Sequence, residues 1–519
     1  MRWTAPPTRR EVTLVFFALT TFILSYNIEF SLRLIGLEGG GISSRLWRGR
    51  GGAIDKDGRK PRPWRDRLET EIFGDWRWDE GHVAGDGEER QQAKGSDRYG
   101  AMWSGKIVTK ETTEREQVVF GGTRVHDGMV ELEGGVPETH LVKHIPGYTI
   151  LDSVFFVNGT MILVSDDPST LPSLSSIASS SQNSEWQVWS TVTAKEELGD
   201  YIANIDGVTW ISNDQTPHNH TLLSLWRTYS VLDPQISSTG HTTLAAPRRI
   251  FFPSIPTFSD HAPDDPADLR PRVRSQAGFH PLLAKTAFPT LGLLFKEDWE
   301  DFAKLGLPFR FQRLVIADRG AAARSASPLV PETAGPFEQL TGSDHWLQPV
   351  RRALAASLGV ELDGRQRKPV VTYVATQGES AGPRLRDADH RVLVDSLQKI
   401  GVEVRVVSGD DMPWGDFMRT ILRSTVVLGP YGQHMTDGLY MQQGGTLIEF
   451  FPAGVFVRDQ AFPVRALGSH YVAFQNEQKF TGDALPAAYA PPPHEREAQA
   501  VISLDVRAVI ETVREAVRG

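Results

Sequence analysis

The sequence predicts an α/β protein: a parallel, doubly wound sheet in its C-terminal half, an earlier region of short strands and helices, and a hydrophobic helix ahead of both. Three observations carry this. From Val370 onward apolar strand-like runs alternate with amphipathic helical ones, and strand, helix, strand at this spacing requires parallel pairing. Within that run Gly429-Pro430-Tyr431-Gly432 joins a buried strand to a short helix, as a chain leaving such a sheet does. Near the start, Val12 to Tyr26 holds no charge and follows a basic segment with Arg2, Arg9 and Arg10.

The totals narrow the function classes. At 519 residues the chain has room for an anchor and two ordinary domains. Its 40% hydrophobic and 23% charged content is that of a globular protein. A net charge of −9 gives no basic face for a nucleic-acid backbone. The absence of cysteine excludes disulfides, thiolate metal sites and cysteine nucleophiles.

Residues 1–11 read as a cytosolic tail and 12–28 as a transmembrane signal anchor. About seventeen residues at a rise of roughly 1.5 Å sit at the short end of what crosses a hydrocarbon core. A cleaved signal peptide is the alternative; the lack of a small-x-small cleavage site favours the anchor, and the basic flank orients the body to the lumen. Residues 29–99, rich in Gly, Arg, Asp, Glu and Trp without a sustained period, read as a stem.

Residues 100–335 form the next region. Asp152 to Ser165 reads as a hairpin about Asn158-Gly159, and Asn158 and Asn219 each begin a glycosylation sequon. A serine-rich loop follows (Ser169 to Ser184). Pro217 to Pro234 contains a helix with Leu222, Leu225, Trp226 and Tyr229 on one face. Gly320 to Gly335 reads as a linker.

The region 336–485 begins with a short helix about Trp346 to Leu358. Strands are expected at Val370 to Ala375, Val402 to Val407, Thr425 to Leu428 and Thr446 to Phe451. Helices are expected at Asp387 to Ile400, Pro413 to Arg423 and Gln433 to Met441. Residues 486–519 end in a helix from Ser503 to Arg518 with Val506, Val509, Ile510, Val513 and Val517 on one face. Ligands of parallel sheets sit outside the carboxyl ends of the strands. There the backbone of Gly432, Gln433, His434, Met435 and Thr436 aims several N–H groups at one point, with the positive end of a helix dipole behind them. That point suits a pyrophosphate.

The line Gly429-Pro430-Tyr431-Gly432-Gln433-His434-Met435-Thr436-Asp437, closing in Ile448-Glu449-Phe450-Phe451-Pro452, resembles the C-terminal motif of glycosyltransferase family 61, which runs roughly G-x-H-G-A-G-L-T-N and ends V-x-E-x-F-P. Tyr431 stands at the usual histidine, Gln433 and His434 at a small pair, and Asp437 at the usual asparagine. The segment Pro217 to Pro234 resembles the family's N-x-x-H-W-L-x-E-L-L-x-L-W stretch, with His220 at the histidine and Ser224 where an acid is common, and patches similar to fungal members come after it in order: Arg249 to Pro253, Thr257 to Asp260, Gly278 to Pro281, Lys296 to Trp299 and Val315 to Arg319. The resemblance spans Thr216 to Pro452 and is densest from Val370.

It implies a GT-B-like pair of Rossmann-like domains behind an N-terminal transmembrane helix, with the terminal helix crossing back to the first domain. It also implies inverting transfer of a sugar of the xylose or N-acetylglucosamine class from a UDP-sugar to a glycan or glycoprotein hydroxyl, in the ER or Golgi lumen, with no metal cofactor. Asp387-Ala-Asp389 fits a helix cap better than a cation site. Arg384 and Arg386, in the loop where the family carries arginines, are suited to grip the diphosphate or are solvated loop residues. Glu449, in a buried strand, either accepts from ribose hydroxyls or pairs within the core. His434 is a phosphate donor or a surface histidine. His220 and Asp260 are the candidate bases on the acceptor side. The rival reading is an inactive family member that binds or scaffolds luminal glycans; a third is a cytosolic nucleotide-binding protein.

Overall fold

A computed structural model describes residues 106–107, 118–119, 129–132, 135–180, 185–260, 274–289, 291–325, 331–362, 368–377, 382–408, 412–486 and 501–518. The expected tail, membrane span and stem lie outside these, and no helix among the described residues is long and apolar enough to cross a membrane. All the described residues fall within one compact unit, Arg65–Gly519.

The architecture is mixed α/β with two large sheets. The first holds β1 (Lys106–Ile107), β2 (Val118–Val119), β3 (Met129–Glu131), β4 (His140–Ile145), β5 (Tyr148–Val157), β6 (Thr160–Val164), β7 (Trp186–Trp189), β8 (Tyr201–Ser212), β9 (Pro247–Phe251), β10 (Gly292–Leu294) and β11 (Phe309–Ala317). Its main path is β10-β9-β8-β11-β5-β6-β7. β10, β9, β8 and β11 form a parallel, Rossmann-like block. β4, β5 and β6 join it antiparallel. For β4–β5 and β5–β6 the cause is local: Gly147 (φ +79°) and the Asn158-Gly159 pair (φ +49° and +83°) make turns too tight for anything but hairpins.

The second sheet holds β12 (Val370–Val374), β14 (Glu403–Val407), β15 (Val426–Pro430), β16 (Thr446–Phe451), β17 (His470–Gln475) and β18 (Gln478–Thr481) in the order β14-β12-β15-β16-β17-β18. All pairs are parallel except the last. β12, β15 and β16 are buried along their whole length, as strands covered on both faces must be. The chain runs outward one way from β12 to β14 and the other way from β15 to β17. The topological switch point is therefore between β12 and β15, where ligands of doubly wound sheets sit. The two-residue β13 (Arg384–Leu385) pairs with β19 (Val501–Ile502) beside it.

One hydrophobic cluster runs through both sheets, from Trp210 and Tyr229 through Trp346 to Met418, Leu439 and Phe462. Trp346 is its pivot: the ring is fully buried, its Nε1 donates to Ala466 O (3.0 Å), and Trp226 Nε1 donates to its carbonyl (2.7 Å). Helix α1 (Thr221–Ser230) is buried at all ten positions, not on one face as its spacing suggests, because cluster residues surround it. Arg227 is tolerated there by donating to the carbonyls of Pro336, Leu340 and Ser343.

Two expectations need correction. Part of the expected linker is helical (Arg319–Ser325): Asp318 caps it by accepting from Ala321 N (2.8 Å), and alanines carry the turn. The terminal helix α4 (Val506–Arg518) does not lie against the first sheet. Its Val509, Ile510 and Val513 join the cluster on the outer face of the second sheet, with Leu393 and Leu397 of α3 (Asp387–Gln398).

Candidate functional site

The motif lies at the carboxyl end of β15, at the switch point. Its glycines are there for close approach. A Cβ at Gly429 would stand 2.8 Å from Val374 O, so the residue lets β12 and the motif meet. Gly432, at φ +152° and ψ −179°, occupies a region open essentially to glycine alone. Between them Tyr431 stacks on Phe451 with ring centroids 5.1 Å apart.

The expected helix is present and is of the 3-10 type, Gln433–Tyr440. It passes so close over the strands that a Cβ at Gly438 would stand 2.7 Å from Leu447 and 3.3 Å from Val427. The tighter winding turns Met435 and Gly438, three residues apart, onto the sheet. Arg351, from α2 (Gln348–Ser357), donates to Tyr440 O (3.1 Å) at the far end, where a cation suits the dipole. The winding narrows the expected amide cradle. Met435 N–H donates to Gly432 O (3.1 Å) and its side chain is fully buried, so Met435 does not contribute a phosphate-facing amide. His434 Nε2 donates to Pro430 O (2.9 Å), so that atom braces the motif's own turn. Gln433 and Thr436 lie on the edge that meets Asn219, on the first-sheet side.

There the start of α1 approaches. The Asn219 side-chain amide donates to Thr436 Oγ1 and to Gln433 O. Gln460, in the loop after β16, donates through Nε2 to the same Thr436 oxygen (2.8 Å) and holds His220 Nε2 with its Oε1 (3.1 Å). His220 is fully buried, its Nδ1 has no partner, and its backbone N–H donates to His218 Nδ1 (3.1 Å). Burial pushes the His220 pKa down, and the Asp459 carboxylate pulls it back up. His218 is pushed down to about 3 by burial, with His220 and Arg319 adding to it. Both imidazoles are neutral at pH 7. Asn219, the sequon residue, has its amide occupied by Thr436, whereas Asn158 stands exposed in its hairpin turn.

The remaining expected residues distribute around this junction. Arg384 is exposed, and Arg386 is paired with Asp389 (3.0 Å) and Ser503 (2.7 Å); both are on the β13 segment that follows β12, beside the switch point. Glu449, in β16 opposite Gly429, is 1% exposed and accepts from Tyr471 OH (2.7 Å). Burial pushes its carboxyl up to about 8, so it is protonated at neutral pH. In this conformation it faces Tyr471 and not solvent. Asp260 is half-buried and takes no part in the hydrogen bonds of His220. Asp437 is pushed up to about 7 by burial.

Sequence reasoning missed Gln460, Asp459 and the Asp214–Arg319 pair. Asp214 accepts from Arg319 N (2.9 Å) and Nε (3.0 Å) at the carboxyl ends of β8 and β11. Arg319 lay within a quoted patch, but nothing marked it as a partner of Asp214. Gln460 carries no local signal, since it acts on a residue 240 positions away.

Two surface concavities of the second sheet, one lined by Val370, Glu403 and Arg423, the other by Thr446, Ser469 and His470, lie at the amino ends of its strands, away from the motif. No group of three or more metal-binding side chains occurs among the described residues. Comparison with family models and with characterised proteins gives no match to the chain.

Proposed function

We propose that the chain is a type II membrane glycosyltransferase similar to family 61, carrying out inverting transfer of a sugar from a UDP-sugar to a glycan or glycoprotein hydroxyl in the ER or Golgi lumen. One observation carries the reading: the motif emerges at the switch point of the second sheet, and its first turn meets the carboxyl edge of the first sheet through Asn219 directly and through His220 by way of Gln460. A donor at that junction has its diphosphate beside the Gly432 and Gln433 amides and the Thr436 hydroxyl, with Arg384 on the flanking loop. The acceptor oxygen attacks the anomeric carbon, the bond from that carbon to the diphosphate oxygen breaks, and the hydroxyl proton passes to a base as the nucleotide leaves. His220 and Asp260 are the candidates for that base. The GT-B-like arrangement and the anchor at residues 12–28 belong to the same proposal; the basic-flanked, uncharged run supports the anchor.

The rival, an inactive member that binds glycans, is favoured by the inward use of Met435 N–H and His434 and by the burial of His220. Incubation of the protein with a panel of UDP-sugars separates the two. The transferase releases UDP from one of them, and the release falls when Arg384, Arg386 and Glu449 are changed together. UDP binding without turnover on any sugar or acceptor supports the rival.

A further inference from the structure

The chain Asn219, Thr436, Gln460, His220 can be wired in two ways, and the choice decides which atoms remain for a ligand. Asn219 donates to Thr436 Oγ1 in both. If Gln460 donates to Thr436, its carbonyl must accept from His220 Nε2–H, which leaves a bare lone pair on the buried, unpartnered Nδ1. If the amide is reversed, Thr436 donates to Gln460, Gln460 donates to His220 Nε2, and the buried atom becomes an N–H donor without an acceptor. An orphaned buried donor is the rarer and costlier of the two. The first wiring also fills both lone pairs of the Thr436 hydroxyl, so its hydrogen is left to donate.

We propose that Gln460 is the positioning residue of the site: it holds His220 as the Nε2–H tautomer, keeping Nδ1 as the proton-accepting atom, and turns the Thr436 hydroxyl hydrogen toward the donor's phosphates. The proposal rests on the transferase reading and adds the residue that joins its two halves. Gln460 is 3% exposed and touches neither reacting atom; it acts by fixing an orientation on each side. The groups facing His220 are His218 on its own loop, Arg319 after β11, Asp459 beside Gln460, and the Phe337 ring 6.2 Å away. None of them is hydrogen-bonded to either ring nitrogen of His220.

The test is a long-range proton–nitrogen correlation spectrum of the full chain labelled with nitrogen-15 histidine, with the His220 signals assigned by their loss in His220→Asn. At pH 7 the wild type should carry its proton on Nε2. Gln460→Leu should lose that preference, and Gln460→Glu, which still offers His220 an acceptor, should keep it. In turnover with the preferred UDP-sugar, Gln460→Leu should lower kcat by about 100-fold, the scale of general-base catalysis, with little change in KM. A wild-type His220 protonated on Nδ1, or a tautomer unchanged in Gln460→Leu, overturns the proposal. Because Gln460→Glu must behave unlike Gln460→Leu, a mere folding defect is separated from positioning. The expected tautomers with no turnover on any UDP-sugar would uphold the wiring and reject the transferase reading.

Discussion

Burial of Glu449 has a measurable consequence. Its carboxyl is pushed from the ordinary 4.5 up to about 8 by desolvation, against the lowering effect of the Tyr471 hydrogen bond. Between those values the folded chain holds a proton that the unfolded chain releases. Its effect is therefore a loss of stability as pH rises through that window, by up to ~1.4 kcal/mol per pH unit, levelling off above pH 8. Glu449→Gln cannot ionise, yet still accepts from Tyr471. Denaturant unfolding between pH 5 and 8 should show wild type losing stability relative to the variant; parallel curves would mean that Glu449 is not held protonated. Asp437 follows the same sign over a window ending near pH 7, so Asp437→Asn should gain stability relative to wild type above neutrality. The presence of a carboxylate at these two positions was legible in the sequence. Its protonation was not, because the burial that raises both groups arises only from tertiary packing, as when β16 is enclosed between β15 and β17.

At the scale of elements, the strands of the second sheet could be read from apolar runs, and so could the glycine turn that ends β15. The winding of the motif helix could not. Whether Gln433–Tyr440 forms an α- or a 3-10 helix depends on how closely it crosses Val427 and Leu447, which no local pattern encodes. Two substitutions probe this. Gly432→Ala places a Cβ 2.9 Å from the His434 ring in a backbone region that disfavours it, and should cost about 1–3 kcal/mol while weakening UDP binding. Gly438→Ala presses on Leu447 and should cost a similar ~1–3 kcal/mol by overpacking. Thermal unfolding and nucleotide titration check both. Unchanged UDP affinity in a folded Gly432→Ala protein would detach the turn from the ligand. The terminal helix teaches the same lesson: its apolar stripe was legible, but a stripe does not say which sheet it covers.

For the whole molecule, the continuous cluster through both sheets means that neither sheet has a private core on its inner face. Trp346→Ala should cost about 3–5 kcal/mol, and the two sheets should melt together in one transition by calorimetry. Two resolved transitions would show that the junction is weaker than its packing implies. The sequence foretold a parallel sheet in the C-terminal half with the glycine motif at its carboxyl edge, and short strands ahead of it. It did not foretell that Asn219, His220 and Gln460 close on that edge, because that contact exists only after the first sheet has brought α1 to the motif. Titration of the full-length protein with UDP, in parallel with Thr436→Val and an Arg384→Ala, Arg386→Ala double variant, bears on the central claim most directly. Saturable binding by wild type, weakened about tenfold or more in both variants, is the predicted result; no binding, or binding indifferent to both changes, would contradict a diphosphate site at the junction.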